Sequence, residues 1–217
     1  MKQYKAICFD FDYTLGDATD SIVAGFQHAF TQMGRPVPER ESIRATIGYL
    51  LEDAYSSLSG DRSEEGRARF RPLYQEVALP MQVDGITLFP GTAQLLRALH
   101  TAGIRMAIVS TRRSATIYQT LERSGLLDTQ EFIIGSADVT RHKPDPEGLN
   151  IALGRMGIAP HEMLFCGDTI LDAGAAQNAG THFAAVLNGT TPAEAFAQWP
   201  HVHIAKDLYD LAKWLGV

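Results

Sequence analysis

The sequence predicts an α/β fold: a doubly wound parallel sheet as the core, with an all-helical segment inserted after the first strand. Three observations predict it. Short, wholly apolar runs recur along the chain, as expected of strands buried on both faces. Amphipathic stretches of helical period separate them. One long stretch, from about Asp17 to Asp84, contains helical faces and no convincing strand.

The first apolar run is Ala6-Ile7-Cys8-Phe9. Later runs are 106–109, 132–134, 163–166 and 183–186, with a short last one at 202–204. Between them, Leu149, Ala152, Leu153 and Met156 share one helical face, as do Leu208, Leu211, Ala212 and Leu215. Ser114 reads as an N-cap before Ile117 and Leu121. Strands alternating with helices in this way give a doubly wound sheet.

The inserted stretch carries three helical faces. They are Ile22, Phe26, Ala29, Phe30 and Met33; then Leu51, Ala54, Tyr55 and Leu58; then Phe70, Leu73, Tyr74 and Val77. Pro72 is expected to kink or start the third helix. The organisation read from this pattern is a core of residues 1–16 and 85–217 with a helical insert over 17–84. Gly16 and Asp84-Gly85 mark its two hinges.

Bulk properties bound the function. The chain has 217 residues, is 45% hydrophobic and carries a formal net charge of −6. That charge argues against nucleic acid or an anionic membrane as partner, since both are recognised by basic patches. The expected partner is a small molecule, with a monomeric or homodimeric protein. No apolar run approaches the length of a membrane span, and the start MKQYKAICFDF has too short an apolar stretch for a signal peptide. Cytoplasmic localisation is the expectation. Cys8 and Cys166 sit in apolar runs and read as reduced core thiols, neighbours on adjacent strands.

In open α/β sheets, ligands bind beyond the carboxyl ends of the strands. The first strand is followed by Asp10 and Asp12, whose side chains can project to one side because an extended chain alternates. Ser110 and Thr111 follow the second core strand. Lys143 lies in the loop after the third, in RHKPDP. Gly167-Asp168-Thr169 follows the fourth, with Asp172 four residues on from Asp168.

Carboxylates, a hydroxyl and an ammonium group at four strand ends suit phosphoryl transfer. A carboxylate attacking a phosphate dianion meets like-charge repulsion, which a hard cation held by oxygen ligands neutralises. Lys143 adds positive charge on the phosphoryl oxygens, and Ser110 a hydroxyl. Asp10 and Asp12 can divide the roles of nucleophile and general acid–base.

These segments resemble those of the haloacid dehalogenase-like hydrolases. FDFDYTLGD is similar to that family's first motif, DxDxT; IVST to the second; Lys143 in HKPDP to the third; and GDTILD to the fourth, GDxxxD. The resemblance covers essentially the whole chain, in order. It implies a Rossmann-like core with a helical cap and a Mg²⁺-dependent phosphohydrolase working through an aspartyl-phosphate. Position by position, it implies Asp10 as nucleophile and Asp12 as general acid–base. It implies Asp10, Asp168 and the backbone carbonyl of Asp12 as metal ligands, and Ser110, Thr111 and Lys143 as phosphate binders. Asp172 would orient Lys143 or a metal-bound water, and Thr14 would fix the turn after the nucleophile.

Tyr13 departs from the common form, in which a small residue precedes the Thr, and brings bulk to the mouth of the site. The cap segment TIGYLLEDAY resembles that of phosphoglycolate phosphatases and their pyrophosphatase relatives. Small phosphorylated metabolites are therefore the expected substrates, with phosphoglycolate first. Pyrophosphate hydrolysis and a β-phosphoglucomutase-like phosphomutase are the alternatives. A dehalogenase needs neither a second catalytic Asp nor a metal, so Asp12 and GDTILD argue against one. Arg112 and Arg113 are candidates for meeting a substrate carboxylate or second phosphate. Arg67, Arg69 and Arg71 read as a solvated helix face, and His142 as an exposed neighbour of Lys143.

Overall fold

The computed structural model describes residues 4–217, apart from the side chains of residues 83 and 84. Met1–Gln3 of the segment weighed as a signal peptide, and the Asp84 side chain of the expected hinge, lie outside the described residues. The chain divides into two compact units, Met1–Gly16 with Leu88–Val217, and Asp17–Thr87.

The larger unit is built on a six-stranded sheet. Its strands are β1 (Ala6–Phe9), β4 (Arg105–Val109), β5 (Phe132–Ile134), β6 (Met163–Gly167), β7 (His182–Val186) and β8 (His203–Ala205). Their spatial order is β5-β4-β1-β6-β7-β8, and every pairing is parallel. All six apolar runs are strands, so the doubly wound parallel sheet expected from them is the observed architecture. β1 is buried along its whole length because both faces are covered. One face packs Cys8, Val109 and Phe165 against Leu149 and Leu153 of α7 (Glu147–Met156) and Ala173 and Ala176 of α8 (Ile170–Ala179). Helices α5 (Thr92–Thr101), α6 (Ser114–Arg123) and α9 (Leu208–Leu215) complete the unit, each burying one apolar stripe.

The chain passes between the units through two-residue strands, β2 (Gly16–Asp17) and β3 (Thr87–Leu88), which pair with each other. The smaller unit holds α1 (Thr19–Gln32), α2 (Arg40–Arg44), α3 (Leu51–Ser59) and α4 (Glu64–Gly85). Its core is an aromatic cluster of Phe26, Phe30, Tyr55, Phe70 and Tyr74, with Tyr55 and Phe70 stacked at 4.6 Å. Gly25 lets α1 approach α4 closely: a Cβ there would lie 2.7 Å from the Tyr74 ring. Asp61 ties the loop before α4 together, accepting from the Tyr55 hydroxyl at 2.9 Å and from Ser63 N–H, and pairing with Arg35. Of the basic trio, Arg67 pairs with Asp53 and Arg71 with Glu52.

Two local expectations fail, and so does one of two alternatives for a third: helix α4 runs through both Pro72 and Pro80, so it does not start at the first. Ser114 is the first residue of α6, whose N-cap is Arg113, and makes no side-chain cap. Cys8 and Cys166 lie on adjacent strands but on opposite faces: Phe9, not Cys8, is the register partner of Cys166, and side chains alternate along a strand. Burial pushes the Cys8 thiol up to about 12 and raises Cys166 well above its ordinary value, so both stay protonated.

Candidate active site

Four strand ends of the larger unit converge at β1, which lies centrally between β4 and β6. Asp10 follows β1 directly and is 1% exposed. Its N–H donates to the Cys166 carbonyl at 2.8 Å, which locks the residue against the end of β6. The chain then turns sharply, with Leu15 N–H and Gly16 N–H both donating to the Phe11 carbonyl at 2.9 and 3.0 Å.

Tyr13 takes the left-handed conformation in this turn, with φ of 57°. A glycine would adopt it without steric cost, whereas a side chain costs roughly 1–2 kcal/mol. That accounts for the small residue common at this point of the motif, from which Tyr13 departs at a steric cost. Its ring is buried, tilted 6.4 Å from Phe89. Thr14 donates through Oγ1 to Asp168 Oδ1 at 3.3 Å, and its carbonyl accepts from Asn188 Nδ2 at 3.0 Å. Thr14 therefore joins the first motif to the fourth as well as lying in the turn.

Lys143 is held between two carboxylates, 3.0 Å from Asp10 Oδ1 and 2.5 Å from Asp172 Oδ1. The position of Asp172 follows from helix capping. Thr169 is the N-cap of α8 and Asp172 its N3 residue, whose Oδ2 accepts from Thr169 N–H at 3.0 Å and Oγ1 at 2.6 Å. Its other oxygen thereby faces the lysine. Gly167 makes room for this arrangement, since a Cβ there would lie 2.5 Å from Asp172 Cβ.

The electrostatics are those of an acidic cluster short of cations. Asp10, Asp168 and Asp172 are all buried, with ligand oxygens within 4.8 Å of one another. Burial raises the Asp10 pKa to about 6; Lys143 opposes the rise, while Asp172 and Asp12 add to it. Burial, then Asp172 and Asp10, push Asp168 well above the ordinary carboxylate range. Burial pulls Lys143 down, but Asp10 and Asp172 outweigh it, and the ammonium stays charged. Neither oxygen of Asp10 has a well-formed hydrogen bond, despite the nearby lysine. Asp172 is committed to Lys143 and Thr169, so Asp10 and Asp168 are the carboxylates left to face a cation.

Ser110 follows β4; its N–H donates to the Ile134 carbonyl at 3.0 Å, and its hydroxyl lies near enough to Asp10 to lower that carboxyl's pKa. Ser110, Thr111 and Lys143 line one cleft together with Gly135, Arg141 and His142. His142 is half-buried in that cleft, not the exposed bystander expected.

Two features of the site were not legible in the sequence. Arg112, a candidate there for meeting a substrate anion, grips Asp12 through Nε and Nη2, with contacts of 3.0, 2.8 and 2.7 Å to the two carboxylate oxygens. The second feature is the Leu187-Asn188-Gly189 turn after β7. A Cβ on Gly189 would lie 2.1 Å from Asp168 Oδ2, so only a glycine lets this turn pack against that carboxylate. The Asn-Gly dipeptide directly after an apolar run was the available signal.

This fold and this site define a hydrolase class, and the chain belongs to it. Residues 7–186 match the family described as haloacid dehalogenase-like hydrolase. The chain is 31% identical over 206 residues to Pyrophosphatase PpaX of Listeria monocytogenes serotype 4b, covering 94% of this chain and 93% of that one. It is 29% identical over 214 residues to a phosphoglycolate phosphatase of Nitrosospira multiformis, covering 96% and 94%. A crystal structure from Bacteroides fragilis, described as a candidate haloacid dehalogenase-like hydrolase, superposes with a TM-score of 0.93 at 38% identity. That match covers 96% of this chain and 99% of the other.

Proposed function

We propose that the protein is a Mg²⁺-dependent phosphatase of small phosphorylated metabolites acting through an aspartyl-phosphate on Asp10. The observation that carries the reading is the buried Asp10 carboxylate, whose oxygens lack hydrogen bonds, beside the ammonium of Lys143. Relatives named phosphoglycolate phosphatase and Pyrophosphatase PpaX support the substrate class, with phosphoglycolate first and pyrophosphate second.

In this reading Asp10, Asp168 and the Asp12 backbone carbonyl hold Mg²⁺. Bound there, the ion would offset the negative charge of the carboxylates and the phosphoryl group. The donor set fits: all oxygens, with two buried carboxylates that lack enough cationic partners. Ser110, Thr111 and Lys143 position the phosphoryl group. Asp10 attacks phosphorus, the bond to the leaving oxygen breaks, and Asp12 supplies that oxygen's proton. Asp12 then takes a proton from water, which cleaves the acyl-phosphate and frees Asp10. Asp172 orients Lys143, and Thr14 holds Asp168 to the nucleophile's turn. Residues 1–16 and 85–217 act as catalytic core and 17–84 as cap.

The test is phosphate release over a panel of phosphoglycolate, pyrophosphate, sugar phosphates, nucleotides and an aryl phosphate, with Mg²⁺ and with EDTA. The reading expects Mg²⁺-dependent hydrolysis that Asp10→Asn abolishes without unfolding the protein. Turnover persisting in Asp10→Asn, or unaffected by EDTA, would overturn it. Interconversion of glucose phosphates without phosphate release would favour the mutase alternative.

A further inference from the structure

We propose that Arg112 is an exchangeable clamp: it holds Asp12 in the resting enzyme and transfers its grip to a second anionic group carried by the substrate. The inference rests on the phosphatase reading above and deepens it, because it names what the substrate must carry.

Asp12 has two tasks in the proposed reaction. Its carboxylate must deliver a proton to the leaving oxygen and later accept one from water. In the structure both its oxygens accept from one guanidinium, through Nε and Nη2. A carboxylate forked in this way turns both oxygens to the guanidinium and leaves neither to face the leaving oxygen. The pair is also well shielded, with side chains 5% and 10% exposed, so water competes weakly for either partner. Something other than bulk water must loosen the fork during turnover.

The loop that carries Arg112 is fixed, so exchange falls to the side chain. Arg112 N–H lies 3.3 Å from Ser110 Oγ, and the Arg112 carbonyl accepts from Ser136 N–H at 2.9 Å. Gly135 admits no side chain, since a Cβ would lie 2.6 Å from the Arg112 carbonyl oxygen. The guanidinium is thus tethered two residues from Ser110, whose hydroxyl lowers the Asp10 pKa. A substrate whose phosphoryl group meets Asp10 and Ser110 brings its remaining atoms towards this loop.

A planar fork that fits a carboxylate fits a substrate carboxylate or a second phosphate equally well. Phosphoglycolate and pyrophosphate each carry such a group, and simple aryl phosphates do not. When the second anion takes Arg112, Asp12 is released to face the leaving oxygen. The acid–base group is thereby engaged by the substrates that can make the exchange.

The experiment compares phosphoglycolate with an aryl phosphate on the full chain and on Arg112→Met and Arg112→Lys. Hydrogen bonds to charged groups of this kind correspond to roughly 10- to 100-fold in binding. Arg112→Met should lose about that factor in kcat/KM on phosphoglycolate, carried mainly by KM, while turnover of the aryl phosphate should rise, because Asp12 is no longer gripped. Arg112→Lys, which keeps the charge but not the fork, should recover part of the loss and serves as the test if the Met variant does not fold. An equal loss on both substrates would mean that Arg112 only holds Asp12 in place, and overturns the inference alone. No hydrolysis of either substrate by the parent enzyme overturns the phosphatase reading and the inference with it.

Discussion

Asp10 shows how one residue's environment carries a prediction. An aspartate in an unfolded chain ionises near pH 4, whereas burial holds Asp10 at about 6 in the folded, metal-free protein. Between those values the unfolded chain has released a proton that the native state retains. Stability therefore falls as pH rises through that window, and the full penalty is present above it. The difference of about two pH units corresponds to about 3 kcal/mol. Asp168, raised by burial and by its acidic neighbours, acts in the same direction. A cation between these carboxylates offsets the penalty. Calorimetry should therefore find that Mg²⁺ raises the melting temperature more at about pH 7.5 than at about pH 5. An equal or larger effect at the acid pH would contradict this account of the cluster. A second residue-scale prediction concerns Gly189. A methyl group there must displace Asp168, so Gly189→Ala should cost about 1–3 kcal/mol of stability. It should also raise the Mg²⁺ concentration needed for half-maximal activity, measured by titration.

At the scale of elements, the strands were the most legible part of the chain. Each buried strand is an apolar run on both faces, so a sequence pattern alone reveals it, as at 132–134 and 163–166. The residues at their carboxyl ends were legible for the same reason. Lys143 and Asp172 meet as the family resemblance implied, because GDTILD supplies its own N-cap and N3 residue. What stayed hidden depended on tertiary contact. Nothing in TRRS says that the first arginine turns inward to Asp12, since that partner is a hundred residues away. Pro72 left two readings open, a kink or a helix start, and only the start is excluded, since α4 continues through two prolines. Cys8 and Cys166 misled because equal distance from an aspartate says nothing of which sheet face each occupies. In the smaller unit, Phe70 touches Phe26, Phe30, Tyr55 and Tyr74. Phe70→Ala should cost about 3–5 kcal/mol, read by chemical denaturation. A loss below about 1 kcal/mol would show that the cluster does not organise these helices.

For the whole molecule, the described residues contain no helix long and apolar enough to cross a membrane. The site's side chains all come from Met1–Gly16 and Leu88–Val217, so one compact unit assembles the proposed chemistry from segments separated by the inserted helices. The inserted unit has its own aromatic core, and this division lets the two parts carry different tasks. In the proposed function the core performs phosphoryl transfer.

The central claim is that phosphate passes through a covalent bond to Asp10. The most direct measurement uses the Asp12→Asn variant with an activated aryl phosphate and Mg²⁺, quenched in acid and digested for peptide mass spectrometry. A good leaving group needs no general acid, so the first step proceeds while hydrolysis of the acyl-phosphate, which needs the base, slows by about 10²–10⁴-fold. The account predicts a phosphate mass increment on the peptide carrying Asp10. Release of the aryl alcohol with no phosphorylated peptide at any quench time, or the increment on a residue other than Asp10, would contradict it.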